Sequence, residues 1–245
     1  MRAIACDGAE SGDTVLEVGA GAGTLTRALC DAGARVTAFE IDERLRPVLC
    51  ETLAGTTAKV IFADVMSYDL GALQLGKYRL VANLPYYITT PVIFAFLYDP
   101  DLLSLTVMVQ KEVADRICAK AGTSAYGALS AQMQAMGNAR IVRYVPRNMF
   151  FPAPEVDSAV VRLDISPIID RDMLPAYRRT VAAAFAMRRK TLANNLTAAF
   201  GISKPVAESL TEKVCGNRSA RGETLSCDMF IKLTELLADT VSAVK

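Results

Sequence analysis

The first two thirds of the chain alternate short apolar runs with longer segments of helical periodicity. Each short run has the length of a buried strand, and each longer segment can form a helix that carries the chain back across a sheet. This alternation is typical of a parallel sheet with crossover helices, so the first part is predicted to be an open α/β sheet. Strands are predicted at residues 14–18, 35–40, 59–63, 79–82, 103–109, 141–144 and 158–164.

The strand pattern stops after residue 166, and only helical spacing follows. Within the sheet region, Thr90-Pro91 is expected to start a helix, because proline is tolerated in a first helical turn. Residues 111–120 are expected to form another helix. After the strand pattern ends, helical spacing covers residues 173–200, 205–214 and 227–244.

The charge of the chain changes at the same boundary. The 27 basic and 26 acidic residues give a net charge of +1, but residues 1–100 carry 8 basic against 12 acidic and residues 167–245 carry 12 against 8. We therefore predict a sheet domain, 1–166, and a small all-α domain, 167–245, with different tasks. A net charge near zero for the whole chain does not exclude a polyanionic partner for the all-α domain.

The chain contains no histidine. This excludes imidazole bases, Ser-His-Asp triads and histidine metal sites. The six cysteines never form a C-x-x-C pair, which predicts free thiols in a reducing compartment and no metal site. The longest uncharged apolar stretch, near 181–187, is far shorter than the roughly 18 residues of a membrane span. We expect a soluble cytoplasmic protein that does not contact a membrane.

A glycine-rich turn follows the first predicted strand. Glycines at 19, 21 and 23 allow a sharp turn and a close ligand, and the helix after them offers free N–H groups. A nucleotide-type ligand is expected there. A dinucleotide fingerprint, G-x-G-x-x-G, would place its third small residue where Thr24 stands.

Two acidic residues follow the next two predicted strands. Glu40 can accept hydrogen bonds from both ribose hydroxyls, which fits NAD and S-adenosylmethionine equally, or it is a surface glutamate. Asp64 could accept from the exocyclic amine of an adenine, or it caps a turn. Acceptors at the ends of consecutive strands favour a common nucleotide site.

Asn-Leu-Pro-Tyr follows the fourth predicted strand, at residues 83–86. The Asn83 side-chain oxygen and the Leu84 carbonyl, held ahead of Pro85, can both accept from a planar exocyclic amine while Tyr86 stacks on its ring. Because both oxygens accept from the N–H groups of the exocyclic amine, they favour a pyramidal and more reactive amine nitrogen. A base that titrates near pH 7 is not needed, because the methylated amine is acidic enough to lose its proton.

These motifs resemble S-adenosylmethionine-dependent adenine-N6 methyltransferases. Segments 109–117, 145–160 and 185–196 narrow the resemblance to the small-subunit ribosomal RNA adenine dimethyltransferases, the KsgA (RsmA) family. It covers nearly the whole chain and implies a Rossmann-like class I methyltransferase sheet. It also implies dimethylation of two adjacent adenosines near the 3′ end of 16S ribosomal RNA, within the 30S subunit, by a monomer.

The resemblance assigns roles to single residues. Phe150, on a stiff proline-flanked loop, joins Tyr86 as an aromatic wall of the target pocket, although Phe151 is equally placed and a core phenylalanine is the alternative. The catalytic set is Asn83, Leu84, Pro85, Tyr86 and Phe150. The S-adenosylmethionine set is Glu17, Gly19, Gly21, Glu40, Ile41, Asp64, Val65 and Asn83.

Two basic clusters are candidates for RNA phosphate contacts. One lies within residues 138–147, which contain no acid, and the other flanks the apolar run 181–187. Each single arginine has a solvated surface as its alternative, but the clusters favour binding a folded RNA. The set is Arg140, Arg143, Arg147, Arg178, Arg179, Arg188, Arg189 and Lys190.

One departure from the family concerns the start of the sequence. The family usually carries a Gly-Gln-Asn-Phe type segment ahead of the first strand, and this sequence has about 13 residues there without that motif. We expect the polypeptide to bind RNA or ribosomal particles and to methylate poorly.

Three other functions are weighed against this one. They are a large-subunit adenine methyltransferase of the macrolide-resistance type, a non-catalytic assembly factor on the same fold and an NAD-dependent dehydrogenase. Residues 188–196 favour the small-subunit family over the first. The intact Asn-Leu-Pro-Tyr segment argues against a non-catalytic assembly factor. The missing third glycine of the dinucleotide fingerprint argues against an NAD-dependent dehydrogenase.

Overall fold

The computed structural model describes residues 1–150 and 154–243. The strands are β1 (Thr14–Val18), β2 (Arg35–Glu40), β3 (Lys59–Phe62), β4 (Tyr78–Asn83), β5 (Leu102–Gln110), β6 (Gly137–Val145) and β7 (Ser158–Ile165). The helices are α1 (Arg2–Gly8), α2 (Thr24–Asp31), α3 (Arg46–Thr52), α4 (Tyr86–Phe96), α5 (Lys111–Ile117), α6 (Ala128–Met136), α7 (Leu174–Phe185), α8 (Leu192–Phe200), α9 (Lys204–Cys215) and α10 (Cys227–Ala243).

The strands form one sheet in the order β3-β2-β1-β4-β5-β7-β6. The first five strands in this order pair in parallel, which confirms the predicted α/β sheet. β7 pairs antiparallel to β5, so the sheet is mixed rather than wholly parallel. The physical reason is the connection between β6 and β7, which in its described part contains a short 3₁₀ turn and no crossover helix.

The centre of the sheet is buried on both faces. In β1, Val15, Leu16 and Val18 are almost wholly buried, and the same holds for Val36 and Phe39 in β2. Strands covered on both faces read as continuous apolar runs, which is why their sequence predicted them within a residue or two. Helix α2 packs against β2, and its Leu25 and Leu29 belong to the same buried cluster as Val15 and Val36.

Contacts divide the chain into two compact units. The sheet unit comprises Met1–Ala114 and Asn138–Ile165, and the helical unit comprises Asp115–Gly137 and the chain from Ser166 onward. The predicted boundary at 166/167 lies one residue after the second junction, between Ile165 and Ser166. It does not account for 115–137, whose α6 packs against α7 and α10.

Several helices differ from the sequence predictions. Helix α4 begins at Tyr86, so Pro91 lies inside it and does not start it. Proline has no N–H to donate to the carbonyl four residues earlier, which belongs to the exposed Tyr87. Residues 173–200 form two helices, α7 and α8, rather than one. Among the described residues after Ile165, no strand occurs.

The described part of the chain has no helix long and apolar enough to cross a membrane. The cysteines, all of which lie among the described residues, are free thiols.

Candidate active site

The carboxyl ends of β1, β2, β3 and β4 lie at one edge of the sheet. Val18 of β1 stands opposite Phe39 of β2 and Ala82 of β4. Glu40 of β2 stands opposite Phe62 of β3. Because parallel strands end on the same side, the residues that follow each strand are brought together there, as the sequence predicted.

The glycine-rich turn connects β1 to α2 in a conformation that suits glycine. Gly19 and Gly21 have φ of 78° and 55°. A Cβ on Gly19 would lie 3.0 Å from Leu84, whereas a Cβ on Gly21 would meet nothing within 4 Å. The first glycine therefore lets the turn pack on the Asn-Leu-Pro-Tyr segment, and the second leaves room for a ligand against the backbone.

Glu40 is buried and hydrogen-bonded, which excludes the alternative of a solvated surface glutamate. Its Oε2 accepts from the Gly21 N–H at 2.7 Å, and its Oε1 accepts from the Asp42 N–H at 2.9 Å. The carboxylate thus holds the glycine turn to the end of β2. Each oxygen has a second lone pair that can accept a further donor.

Glu17 of β1 is fully buried beneath the turn. Burial raises its pKa to about 8 because it disfavours the charged form; the neighbouring Thr26 opposes this, and the Glu40 carboxylate adds to it. A side chain with no exposed surface does not face a ligand in this arrangement. Glu17 therefore supports the turn and the start of α2 from below.

The residues after β2 and β3 differ in exposure. Ile41 is 71% exposed although it is large and apolar, and Val65 is buried. The exposed Asp64 caps a 3₁₀ turn, since its Oδ1 accepts from the Met66 N–H at 2.9 Å. The turn-capping alternative for Asp64 is thus observed. Binding an adenine amine would be a second role for the Asp64 carboxylate, in addition to the turn cap.

The Asn-Leu-Pro-Tyr segment runs from the last residue of β4 into the first turn of α4. The amide nitrogen of Asn83 lies 3.8 Å from Met1 Sδ, so its oxygen is on the other side of the amide. Leu84 is buried, and Tyr86 is half-buried. The Tyr86 hydroxyl lies 2.7 Å from Ser158 Oγ. Sequence reasoning did not single out Ser158, although it lies in the quoted segment 145–160.

Phe150 is half-buried and packs against the core cluster of the sheet unit, together with Val142 and Val145. It directly follows a 3₁₀ turn at Arg147–Met149. This packing agrees with the core alternative and leaves part of the ring exposed. Phe151 lies outside the described residues.

The basic cluster in the sheet unit is largely neutralised by acids that the sequence window did not contain. Arg140 pairs with Asp164 of the neighbouring β7, and Arg143 lies 3.5 Å from Asp7 of α1. The Arg147 side chain donates to the Glu155 carbonyl at 3.2 Å. Residues 138–147 contain no acid themselves, but folding brings Asp164 and Asp7 alongside Arg140 and Arg143. A role of these arginines in RNA binding stays a prediction.

The helical unit presents its basic residues differently. Arg188, Arg189 and Lys190 are exposed in the turn between α7 and α8, and Arg188 donates to the Ser124 carbonyl at 2.9 Å. Arg179 lies over the Phe200 ring at 4.6 Å. Arg178, on the same helix, is also exposed.

The fold and the site together define a Rossmann-like methyltransferase. The family model for ribosomal RNA adenine dimethylase matches residues 6–238, and the chain belongs to that family. A ribosomal RNA small subunit methyltransferase A from Deinococcus radiodurans is 51% identical over 197 residues, covering 80% of this chain and 67% of the relative. The protein of the same name from Enterococcus faecalis is 42% identical over 236 residues, covering 91% and 80%.

Solved structures resemble the whole chain. A dimethyladenosine transferase from Plasmodium falciparum superposes with a TM-score of 0.77 and 25% identity, covering 95% of this chain and 93% of that one. The 23S ribosomal RNA methyltransferase ErmE gives a TM-score of 0.75 and 26% identity, covering 97% and 96%. The fold is therefore shared with a dimethyladenosine transferase and with an enzyme named for 23S RNA, whereas the relatives that are 51% and 42% identical are named for the small subunit.

Proposed function

We propose that this chain transfers methyl groups from S-adenosylmethionine to N6 of two adjacent adenosines near the 3′ end of 16S ribosomal RNA during small-subunit assembly. The observation that carries the proposal is Asn-Leu-Pro-Tyr at the end of β4, packed through Leu84 against the glycine turn. The small-subunit names of relatives 51% and 42% identical support the choice of RNA.

The glycine turn and its neighbours fit S-adenosylmethionine. The open space over Gly21 admits a ligand against the backbone, and Glu40 and Asp64 present carboxylates beside it. Ile41 offers an exposed apolar surface to a purine ring. Val65 and Glu17 support this cradle from buried positions. When bound, the cofactor supplies the methyl group and a neutral thioether as leaving group.

The residues after β4 would activate the target amine. Asn83 Oδ1 and the Leu84 carbonyl would accept hydrogen bonds from the N–H groups of this amine, and the rigid Leu84–Pro85 peptide holds these acceptors in place. Tyr86 and Phe150 would hold the adenine ring between them. Positioning carries most of this catalysis, so the absence of histidine from the sequence is no obstacle.

The helical unit would supply contacts to RNA phosphates. Its exposed Arg188, Arg189 and Lys190 lie in one turn, and a folded ribosomal RNA is recognised largely through its backbone and shape. The arginines at 178 and 179 would add to this surface. The 30S particle, rather than naked RNA, is the proposed substrate, and the enzyme would act as a monomer in the cytoplasm.

Tritiated methyl transfer to undermethylated small subunits tests the proposal. We expect label in N6,N6-dimethyladenosine of 16S RNA. Naked 23S RNA is the comparison substrate. Label on 23S RNA alone would favour a large-subunit enzyme, and particle binding with no transfer would favour a non-catalytic assembly factor.

A further inference from the structure

The segment that opens β7 touches both aromatic elements of the proposed target pocket. Ser158 is its first strand residue and is fully buried, and its Oγ lies 2.7 Å from the Tyr86 hydroxyl. Ser158 stands opposite Gln110 of β5 in the ladder, which fixes its backbone. The sheet therefore determines where the Tyr86 hydroxyl is held.

The preceding residue fixes the other element. Asp157 Oδ1 accepts from the Arg147 N–H at 2.9 Å, at the start of the 3₁₀ turn that leads directly into Phe150. The Asp157 carbonyl accepts from the Lys111 N–H at 2.9 Å, at the end of β5. Asp157 is thus tied to the sheet by its backbone and to the Phe150 turn by its side chain.

Two adjacent residues consequently link three segments that are far apart in sequence: the start of α4, the end of β5 and the turn before Phe150. A stacking pocket for a flat base needs two rings at a fixed separation, and small misplacements are costly for a reaction that depends on positioning. A half-buried tyrosine on a helix end would otherwise rotate about its side-chain bonds.

We propose that Asp157 and Ser158 are positioning residues for base capture: Ser158 orients the Tyr86 ring, and Asp157 sets the turn that carries Phe150. The inference rests on the proposed function, because it assigns these rings to the target adenine. It also gives a role to the Val-Asp-Ser part of segment 145–160, which the proposed chemistry does not use.

The first test compares Ser158→Ala, Tyr86→Phe and the double variant. All three lose the same hydrogen bond, so we expect each to lower kcat by about tenfold, with the double no worse than either single. Affinity for S-adenosylmethionine should not change. Ser104→Ala is the matched control: Ser104 is also a fully buried serine of this sheet, and its Oγ accepts from Arg79 Nη1 at 3.1 Å. It should lower thermal stability and leave kcat unchanged.

The second test uses conservative rescue at Asp157. Asparagine keeps an oxygen that can accept from the Arg147 N–H, whereas alanine does not. We expect Asp157→Ala to lower kcat severalfold and Asp157→Asn to restore most of it. Equal loss in both variants would overturn the role assigned to this hydrogen bond.

A readout that does not require methylation separates this inference from the proposed function. A reconstituted, undermethylated small subunit whose 16S RNA carries 2-aminopurine at the target position reports stacking by loss of fluorescence. We expect wild-type protein and Ser104→Ala to quench it strongly, and Ser158→Ala and Asp157→Ala to quench it weakly. Equal quenching by all four would overturn the inference, as would no quenching by wild type. Absence of methyl transfer with normal quenching would count against the proposed reaction alone.

Discussion

The sheet unit and the helical unit differ first in charge. The sheet unit has 13 basic and 17 acidic residues, a net charge of −4, and the helical unit has 14 basic and 9 acidic, a net charge of +5. A polyanion is attracted by the second and repelled on average by the first. This difference in charge supports the proposal that the sheet unit carries the chemistry and the helical unit attaches to RNA.

The units also differ in how they handle charge locally. Among the described residues, the buried carboxylic acids, Glu17 and Glu40, belong to the sheet unit and surround the glycine turn. The arginines of its β6 are paired with acids, whereas the turn between α7 and α8 exposes Arg188, Arg189 and Lys190. The sheet unit thus holds buried acids around the glycine turn and paired arginines in β6, whereas the helical unit exposes its basic side chains.

The strongest test of this separation is Asn83→Ala. It removes an acceptor for the target amine, and loss of one such group commonly costs a hundredfold or more, about 2.7 kcal/mol or above, in rate. We expect transfer to become undetectable while binding to small subunits is nearly unchanged. Asn138→Ala, at an exposed asparagine of β6, is the control and should behave as wild type. Unchanged turnover in Asn83→Ala would refute the amine-activation role.

The next test compares the two basic clusters. Replacing Arg188, Arg189 and Lys190 together with alanine should weaken particle binding by roughly tenfold to a hundredfold and lower its salt dependence by about two to three counterions. The pair Arg140→Ala and Arg143→Ala should have a smaller effect, because Asp164 and Asp7 already neutralise those side chains. Binding measured between 50 and 300 mM salt, about the usual range for such titrations, decides this. Equal losses would show that the sheet unit also attaches RNA.

Much of the fold could be predicted because the strands are covered on both faces. The continuous apolar runs at 14–18 and 35–40 coincide with β1 and β2. Helix bounds are harder to predict than strands: Thr90-Pro91 predicts a helix start, but α4 begins at Tyr86, directly after the extended backbone of Pro85.

The site was predictable where position alone brings residues together, as with Gly19, Glu40 and Asn83 at the ends of adjacent strands. It was not predictable where a partner is distant in sequence. Nothing within residues 138–147 indicates that Asp164 pairs with Arg140. In the same way, no local pattern predicts that Ser158 contacts Tyr86, 72 residues earlier.

The pH dependence of the free energy of unfolding tests the role of Glu17, a buried acid of the sheet unit. Glu17 has a pKa raised from 4.5 to about 8 in the folded protein. Between these values the folded state keeps a proton that the unfolded state has released, so the free energy of unfolding should fall as pH rises, by up to about 1.4 kcal/mol per pH unit, and level off above pH 8.

Glu17→Gln, which mimics the protonated form, should flatten this dependence. Denaturant unfolding of wild type and variant between about pH 5.5 and 8.5 measures it, within the window set by the two pKa values. Glu51→Gln, at an exposed glutamate of α3, should retain the wild-type slope. If Glu17→Gln keeps the wild-type slope of unfolding free energy against pH, a group other than Glu17 causes the dependence.

The smallest expected effect concerns the helical unit alone. Thr191 is the N-cap of α8, and its side chain accepts from the Asn194 N–H at 3.4 Å, whereas Ser203, the N-cap of α9, makes no such side-chain bond. Thr191→Ala should lower the free energy of unfolding by about 0.5–1 kcal/mol, and Ser203→Ala by less. Neither should change kcat at saturating substrate, because the chemistry is assigned to the sheet unit. A lower kcat in Thr191→Ala, measured with fully folded protein, would mean that order in the helical unit contributes to the chemical step and that the two tasks are not separate.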